Sequence, residues 1–227
     1  MSNWSKPFKE NIINKNDETH IVCVIDKSGS MASKESDVIG GFNKFLSEQK
    51  KLEGKAYLTM IQFDNNYEVK TRRTDINHVA ELTTKTYIPA GGTALLDSLG
   101  RAINEAGDDK KVIVLVITDG EENASKEFNG ARIKSLVETK TGAGWSFIYL
   151  GAGINSFADA GAMGFNINNT VNYVGSNIGT RAAYATLSAS ASSYRSTGKA
   201  VMDSAQLNNI YTETLAKEEK AAEASGS

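Results

Sequence analysis

Two stretches of the chain are apolar at every position. Ile21-Val22-Cys23-Val24-Ile25 and Val112-Ile113-Val114-Leu115-Val116-Ile117 are mostly β-branched and show no polar alternation. Strands buried on both faces read this way, whereas half-exposed strands alternate. Around them the apolar period lengthens. Val38, Ile39, Phe42, Phe45 and Leu46 recur at helical spacing with Lys44, Glu48 and Lys50 opposite, and Gly54 closes that helix. Ala56 to Phe63 alternates as a strand, Asp64-Asn65-Asn66 is turn chemistry, and Tyr67 to Thr74 is a second strand, which predicts a hairpin. Glu68, Lys70, Arg72 and Arg73 give its second member the charge density of an edge strand. A short helix is expected over Ile76 to Leu82, and a longer one carries Leu95, Leu99, Ala102, Ile103 and Ala106 on its apolar face. After the second apolar strand, a helix is expected over Lys126 to Lys140 with Phe128, Ala131, Leu136 and Val137 inward. Trp145 to Leu150 and Thr170 to Val174 read as strands, Ser156 to Met163 as a short helix, and Arg181 to Arg195 as a helix rich in small residues.

Apolar strands alternating with amphipathic helices define an α/β, doubly wound, mostly parallel sheet with helices on both faces. Residues 1–18 read as a polar leader, 19–205 as the domain, and 206–227 as a polar tail expected to fray or to serve as an interaction segment. A chain of 227 residues accommodates this one domain. A net charge of −2 and the lack of a basic run give no basis for nucleic-acid binding. The single cysteine, Cys23, lies inside the first strand, so a disulfide framework is excluded and a core role is expected. The N-terminal stretch does not resemble a signal peptide, and no apolar run approaches the roughly 20 residues of a membrane helix. The expected location is the cytoplasm, with a virion as the alternative, and no membrane partner is expected.

The chemistry gathers where the apolar strands end. The first strand runs into Asp26-Lys27-Ser28-Gly29-Ser30, and the second into Thr118-Asp119-Gly120. Between them, Gly91-Gly92-Thr93 introduces a helix. In a doubly wound sheet the carboxyl ends of the central strands are neighbours, so these loops can converge. Asp26, Ser28, Ser30, Thr93 and Asp119 then present oxygen donors only, the set that Mg²⁺ favours and that Mn²⁺ accepts. Gly29, Gly91, Gly92 and Gly120 permit turns that a Cβ would hinder. Taken singly, Asp26 with Ser28 could be a turn, Thr93 a helix N-cap, and Asp119-Gly120 an ordinary turn. Their conjunction, in order and at one end of the sheet, points to a divalent-cation site.

Asp26-x-Ser28-x-Ser30, Thr93 and Asp119 resemble the motif of a von Willebrand factor type A domain with a metal-ion-dependent adhesion site. The resemblance covers about residues 19 to 175, and a weaker likeness to small stand-alone bacterial and phage members begins at Trp145. It implies a six-stranded sheet in the order 3-2-1-4-5-6 with strand three antiparallel, in agreement with the hairpin. It implies that Ser28, Ser30 and Thr93 touch the ion while Asp26 and Asp119 often act through water. It also implies that an Asp or Glu of a partner protein completes the octahedron. Met31, Tyr87 and Ile88 offer apolar or aromatic contact to such a partner. Lys27 reads as a solvated lysine, with steering of acidic partners as the alternative, and Glu121 and Glu122 as an acidic first helical turn, with added negative charge near the metal as the alternative.

The expected function is therefore a metal-dependent protein-binding module and not an enzyme. A structural component of a phage particle or other large assembly is the alternative. A Mg²⁺-dependent phosphatase of the haloacid dehalogenase type fits less well, because Ser28 stands where that chemistry needs a second acid. His20 and His78 lack a neighbour in sequence that suggests catalysis, and neither a phosphate-binding Gly-Lys loop nor a dinucleotide turn occurs.

Overall fold

The computed structural model describes residues 18–107, 109–119, 121–152, 156–166, 169–173 and 177–198, with 212–213, 215–217, 219–221 and 223–224 of the C-terminal segment. The leader expected over 1–18 lies outside these residues except for Glu18.

The apolar stretch at Ile21–Ile25 forms the heart of β1 (Thr19–Asp26), which is buried at every position. It is buried because it has a parallel neighbour on each side, β2 (Ala56–Phe63) and β4 (Val112–Thr118). The second apolar stretch is β4, also buried throughout. β3 (Tyr67–Asp75) returns antiparallel along β2 and forms the charged edge. β5 (Ser146–Ala152) and β6 (Thr170–Tyr173) continue beyond β4 in parallel. The order is β3-β2-β1-β4-β5-β6, as the resemblance implied.

The two-residue period of the strands divides the core into two layers. Ile21, Cys23, Ile25, Ile113, Leu115 and Ile117 face α1 (Glu35–Lys50) and α5 (Asn177–Thr197). Val22, Val24, Val112, Val114 and Val116 face α2 (Leu95–Ala106), α3 (Gly130–Gly142) and α4 (Ser156–Ala162). Cys23 is 3% exposed, and burial pushes its thiol up, so it behaves as a core residue. At the crossing of α1 and α5, a Cβ on Gly41 would lie 2.5 Å from the Tyr184 ring; glycine permits that approach.

Some elements differ from expectation. Ile76 to Leu82 is not a helix: a single 3-10 turn, Ile76–His78, is followed by extended chain. Asn43 of α1 holds that chain by donating to the Leu82 carbonyl (3.0 Å) and accepting from its N–H (2.8 Å). α3 starts at Gly130 rather than Lys126, and its buried residues are Ile133 and Val137 while Ala131 is exposed. The described part of the tail is helical, and Leu215 packs against the layer between the sheet and α1 and α5. Among the described residues no helix is long and apolar enough to cross a membrane.

Candidate metal centre

β1 delivers Asp26 to the carboxyl end of the sheet, where it is fully buried. Its Oδ1 accepts from the Ser28 N–H (2.6 Å) and its Oδ2 from the Thr118 hydroxyl (2.6 Å). Burial pushes its carboxyl up to about 6; the hydrogen bonds from Thr118 and Ser28 oppose that rise and the nearby Asp119 adds to it. A buried carboxylate met by neutral donors and a second acid is a place that favours a cation.

The neighbouring strands complete the cluster. Ser28 Oγ lies 3.1 Å from Ser30 Oγ, and the Ser30 hydroxyl donates to Asp119 Oδ1 (2.7 Å). Asp119 directly follows β4, which is hydrogen-bonded beside β1, so strand order brings the two acids to the same end of the sheet. Adjacent ligands of an octahedron with Mg²⁺–O bonds of 2.0–2.1 Å lie about 2.9 Å apart. The separations among Ser28, Ser30 and Asp119 bracket that value, and every donor is oxygen, so this set fits a small hard cation. Among the described residues no group of three or more His, Cys, Asp or Glu could hold a metal.

Thr93 reaches the site through backbone. The Ala90 N–H donates to the Lys27 carbonyl (2.7 Å), and the Gly29 N–H donates to the Gly91 carbonyl (3.0 Å). Gly91 makes this possible with φ at +74°, and a Cβ there would meet Asn65 Oδ1 at 2.4 Å. On the other side, the Thr93 N–H donates to Asn123 Oδ1 (2.9 Å) and its carbonyl accepts from the Asn123 N–H (3.1 Å). Thr93 is 2% exposed and is not the cap of α2, whose N-cap is Ala94 without a side-chain hydrogen bond. The structure thus links Asp26, Ser28, Ser30 and Asp119 through side chains and ties Thr93 to the same loops. Gly120 lies outside the described residues.

The surrounding residues depart from expectation. Lys27 is not solvated: it is 7% exposed, and its ammonium meets Asp64 (2.5 Å) and Glu68 (3.1 Å), pinning the hairpin to the first loop. Steering by Lys27 is therefore removed. Met31 and Tyr87 are fully buried, and the Tyr87 hydroxyl donates to the Asp26 carbonyl (2.7 Å); of the proposed contacts only Ile88, at 62% exposure, faces solvent. Glu122 does not open a helix. Its carboxylate accepts from the N–H groups of Leu96, Ala124 and Ser125, fastening the third loop to the start of α2.

Sequence reasoning missed Lys34 and Asp97. The Lys34 ammonium lies against Asp119 Oδ2, with both side chains shielded. Asp97 accepts from the N–H groups of Lys126 (2.8 Å), Glu127 (2.8 Å) and Phe128 (2.9 Å). α3 itself starts at Gly130, where the Asn129 side chain caps it by accepting from the Arg132 N–H (2.9 Å). Burial opposes the Asp97 charge, but the three N–H groups and Arg101 outweigh it and hold its carboxyl below the usual range.

The molecule is a doubly wound α/β domain with an oxygen-lined cluster at the carboxyl end of its central strands. The family model of the von Willebrand factor type A domain matches residues 21–122. Among solved structures, the fold is similar to a mutant of the PilB minor pilin from Streptococcus sanguinis, with TM-score 0.60, 10% identity, and coverage of 83% of this chain and 65% of that one. It is similar to the vWF domain of the type V pili tip protein Mfa5 from Porphyromonas gingivalis, with TM-score 0.59, 12% identity, and coverage of 78% and 95%. It is also similar to proximal thread matrix protein 1 from the mussel byssus, with TM-score 0.57, 16% identity, and coverage of 80% and 47%. This chain therefore spans less than half of the mussel protein. The mussel protein has also been solved with a zinc-occupied MIDAS motif, a structure matched with TM-score 0.51, 16% identity, and coverage of 70% and 42%. No curated protein matches the sequence. Residues 21–122 are thus similar to a von Willebrand factor type A domain, and the fold over most of the chain is similar to that of these solved proteins.

Proposed function

We propose that this chain is a metal-dependent protein-binding module. Asp26, Ser28, Ser30, Thr93 and Asp119 hold a divalent cation, Mg²⁺ in the cell with Mn²⁺ able to substitute. When bound, the cation supplies an electrophilic position that an Asp or Glu of a partner protein completes. The observation that carries this reading is the linked oxygen set of Ser28, Ser30 and Asp119 in front of buried Asp26. The serine and threonine hydroxyls are neutral and leave the charge of a cation largely uncancelled. Asp26 is held rigid by Ser28 and Thr118, so its position is set before anything binds. Exposed Ile88, on the loop that is hydrogen-bonded to Lys27 and Gly29, offers the apolar contact beside the acidic one. The zinc-occupied motif of the mussel protein supports metal binding by this fold.

The module is read as non-catalytic. Ser28 cannot act as a general acid beside the metal. The His20 ring is engaged by Asp109 and Thr59 at the far end of β1.

The test is a calorimetric titration of the wild type and Asp26→Ala with Mg²⁺ and Mn²⁺, followed by a pull-down from the native source with and without chelator. The wild type is expected to bind either ion, Asp26→Ala to bind at least about tenfold more weakly while staying folded, and chelator to release the partner. A wild type that binds no divalent ion overturns the metal reading. A partner retained equally in chelator overturns the metal-dependent contact.

A further inference from the structure

We propose that Lys34 is a built-in counter-cation of this centre, which pairs with Asp119 and sets how tightly a divalent ion is taken. The inference rests on the metal-binding reading above and concerns a residue outside the ligand set.

Lys34 ends the 3-10 turn Gly29–Lys34, which follows the first ligand loop directly. The turn brings its side chain back over the end of β4. There the ammonium lies on Asp119 Oδ2 while the Ser30 hydroxyl donates to Oδ1. The carboxylate is thus gripped on both oxygens by the segment that also supplies the hydroxyl ligands. The pair is shielded, with side-chain exposure of 11% for Lys34 and 4% for Asp119. Lysine is rarely buried unless it is paired with an opposite charge. The other buried lysine of this segment, Lys27, points to Asp64 and Glu68 and does not serve Asp119.

The charges then add simply. Asp26 and Asp119 bring two negative charges, and Lys34 returns one positive. An incoming divalent ion meets a site of net charge −1 in which its carboxylate already has a cation. Repulsion at such short range in partly desolvated surroundings is large enough to move affinity by an order of magnitude or more. The same ammonium keeps the loaded centre net positive, which suits an acidic partner group.

Full-length wild type, Lys34→Met and Lys34→Gln are titrated with Mg²⁺ and Mn²⁺ by calorimetry, and each is melted in chelator and in saturating Mg²⁺. Lys34→Gln keeps a polar chain of similar reach and guards against a folding defect of the methionine variant. Both variants are expected to bind the ions on the order of tenfold more tightly than wild type. Both are expected to melt below wild type in chelator, because Asp119 stays shielded without its counter-charge, and Mg²⁺ should close that gap. Equal affinities in wild type and variants overturn the role of Lys34 and leave the metal reading standing. Weaker binding by the variants also overturns it, since Lys34 would then support Asp119 rather than compete for it. Failure of all three proteins to bind either ion overturns both readings.

Discussion

At the start of β1 the ring of His20 is held from both sides. Nδ1 lies 2.8 Å from Asp109 Oδ2, and Nε2 lies 2.8 Å from the Thr59 hydroxyl, which itself accepts from the Arg73 N–H (2.9 Å). A neutral ring satisfies all of these: Nδ1–H donates to Asp109, and Nε2 accepts from Thr59. Burial lowers the pKa of this histidine below its usual 6.5, although Asp109 pulls the other way. The unfolded chain therefore takes up a proton before the folded one does as pH falls. The stability that His20 contributes is complete above 6.5 and is lost from there downward until the folded-state value is passed. Urea midpoints at neutral pH and at about pH 5 are expected to differ less in His20→Gln than in wild type, and an unchanged difference would rule out this histidine as the source. Residues of this kind mark where sequence reading stops. Asp26, Ser28 and Ser30 are legible because their spacing is local and their chemistry uniform. Lys34 is not, because its partner Asp119 lies 85 residues away and nothing in the local sequence distinguishes it from a solvated lysine.

The elements were legible wherever side-chain periodicity alone decides them. β1 and β4 follow from unbroken apolar runs, and the β2–β3 hairpin from alternation around Asp64-Asn65-Asn66. They were misread where a distant side chain takes over backbone groups. Asn43 keeps Leu82 out of a helix by taking up its N–H and carbonyl, and Asp97 holds the N–H groups of Lys126, Glu127 and Phe128 ahead of α3. Helical spacing in the sequence cannot register such competition, because the competing acceptor belongs to another element. Asp97 also links α2 to the loop that follows Asp119, so it supports the third ligand loop from behind. Asp97→Ala leaves backbone donors without their charged acceptor, and a loss of about 2–3 kcal/mol in urea denaturation is expected. A loss below about 0.5 kcal/mol would mean that water replaces the carboxylate at little cost.

At the scale of the whole molecule, the sheet order separates the chemistry from the packing of the tail. β1 and β4 lie side by side and place Asp26 and Asp119 at one end. α1 begins next to that end, just after the 3-10 turn, and runs away from it to Lys50. The described tail meets the far part of α1: Lys217 and Ala221 line a groove with Lys44, Glu48 and Ala189, and Leu215 packs against the adjoining core layer. Deleting residues 212–227 therefore uncovers a half-buried leucine and part of α1 and α5 while every ligand loop stays in the chain. Burial of one such side chain is worth about 1 kcal/mol, which for a domain of this size corresponds to a fall of about 2–4 °C in melting temperature. The truncated protein is expected to melt lower by that margin and to bind Mg²⁺ with unchanged affinity, measured by scanning calorimetry and titration on the same sample. An unchanged melting temperature would show that the Leu215 contact contributes nothing to stability. A changed Mg²⁺ affinity would show that the far end of α1 is coupled to the metal centre, which nothing in the packing of the described residues requires.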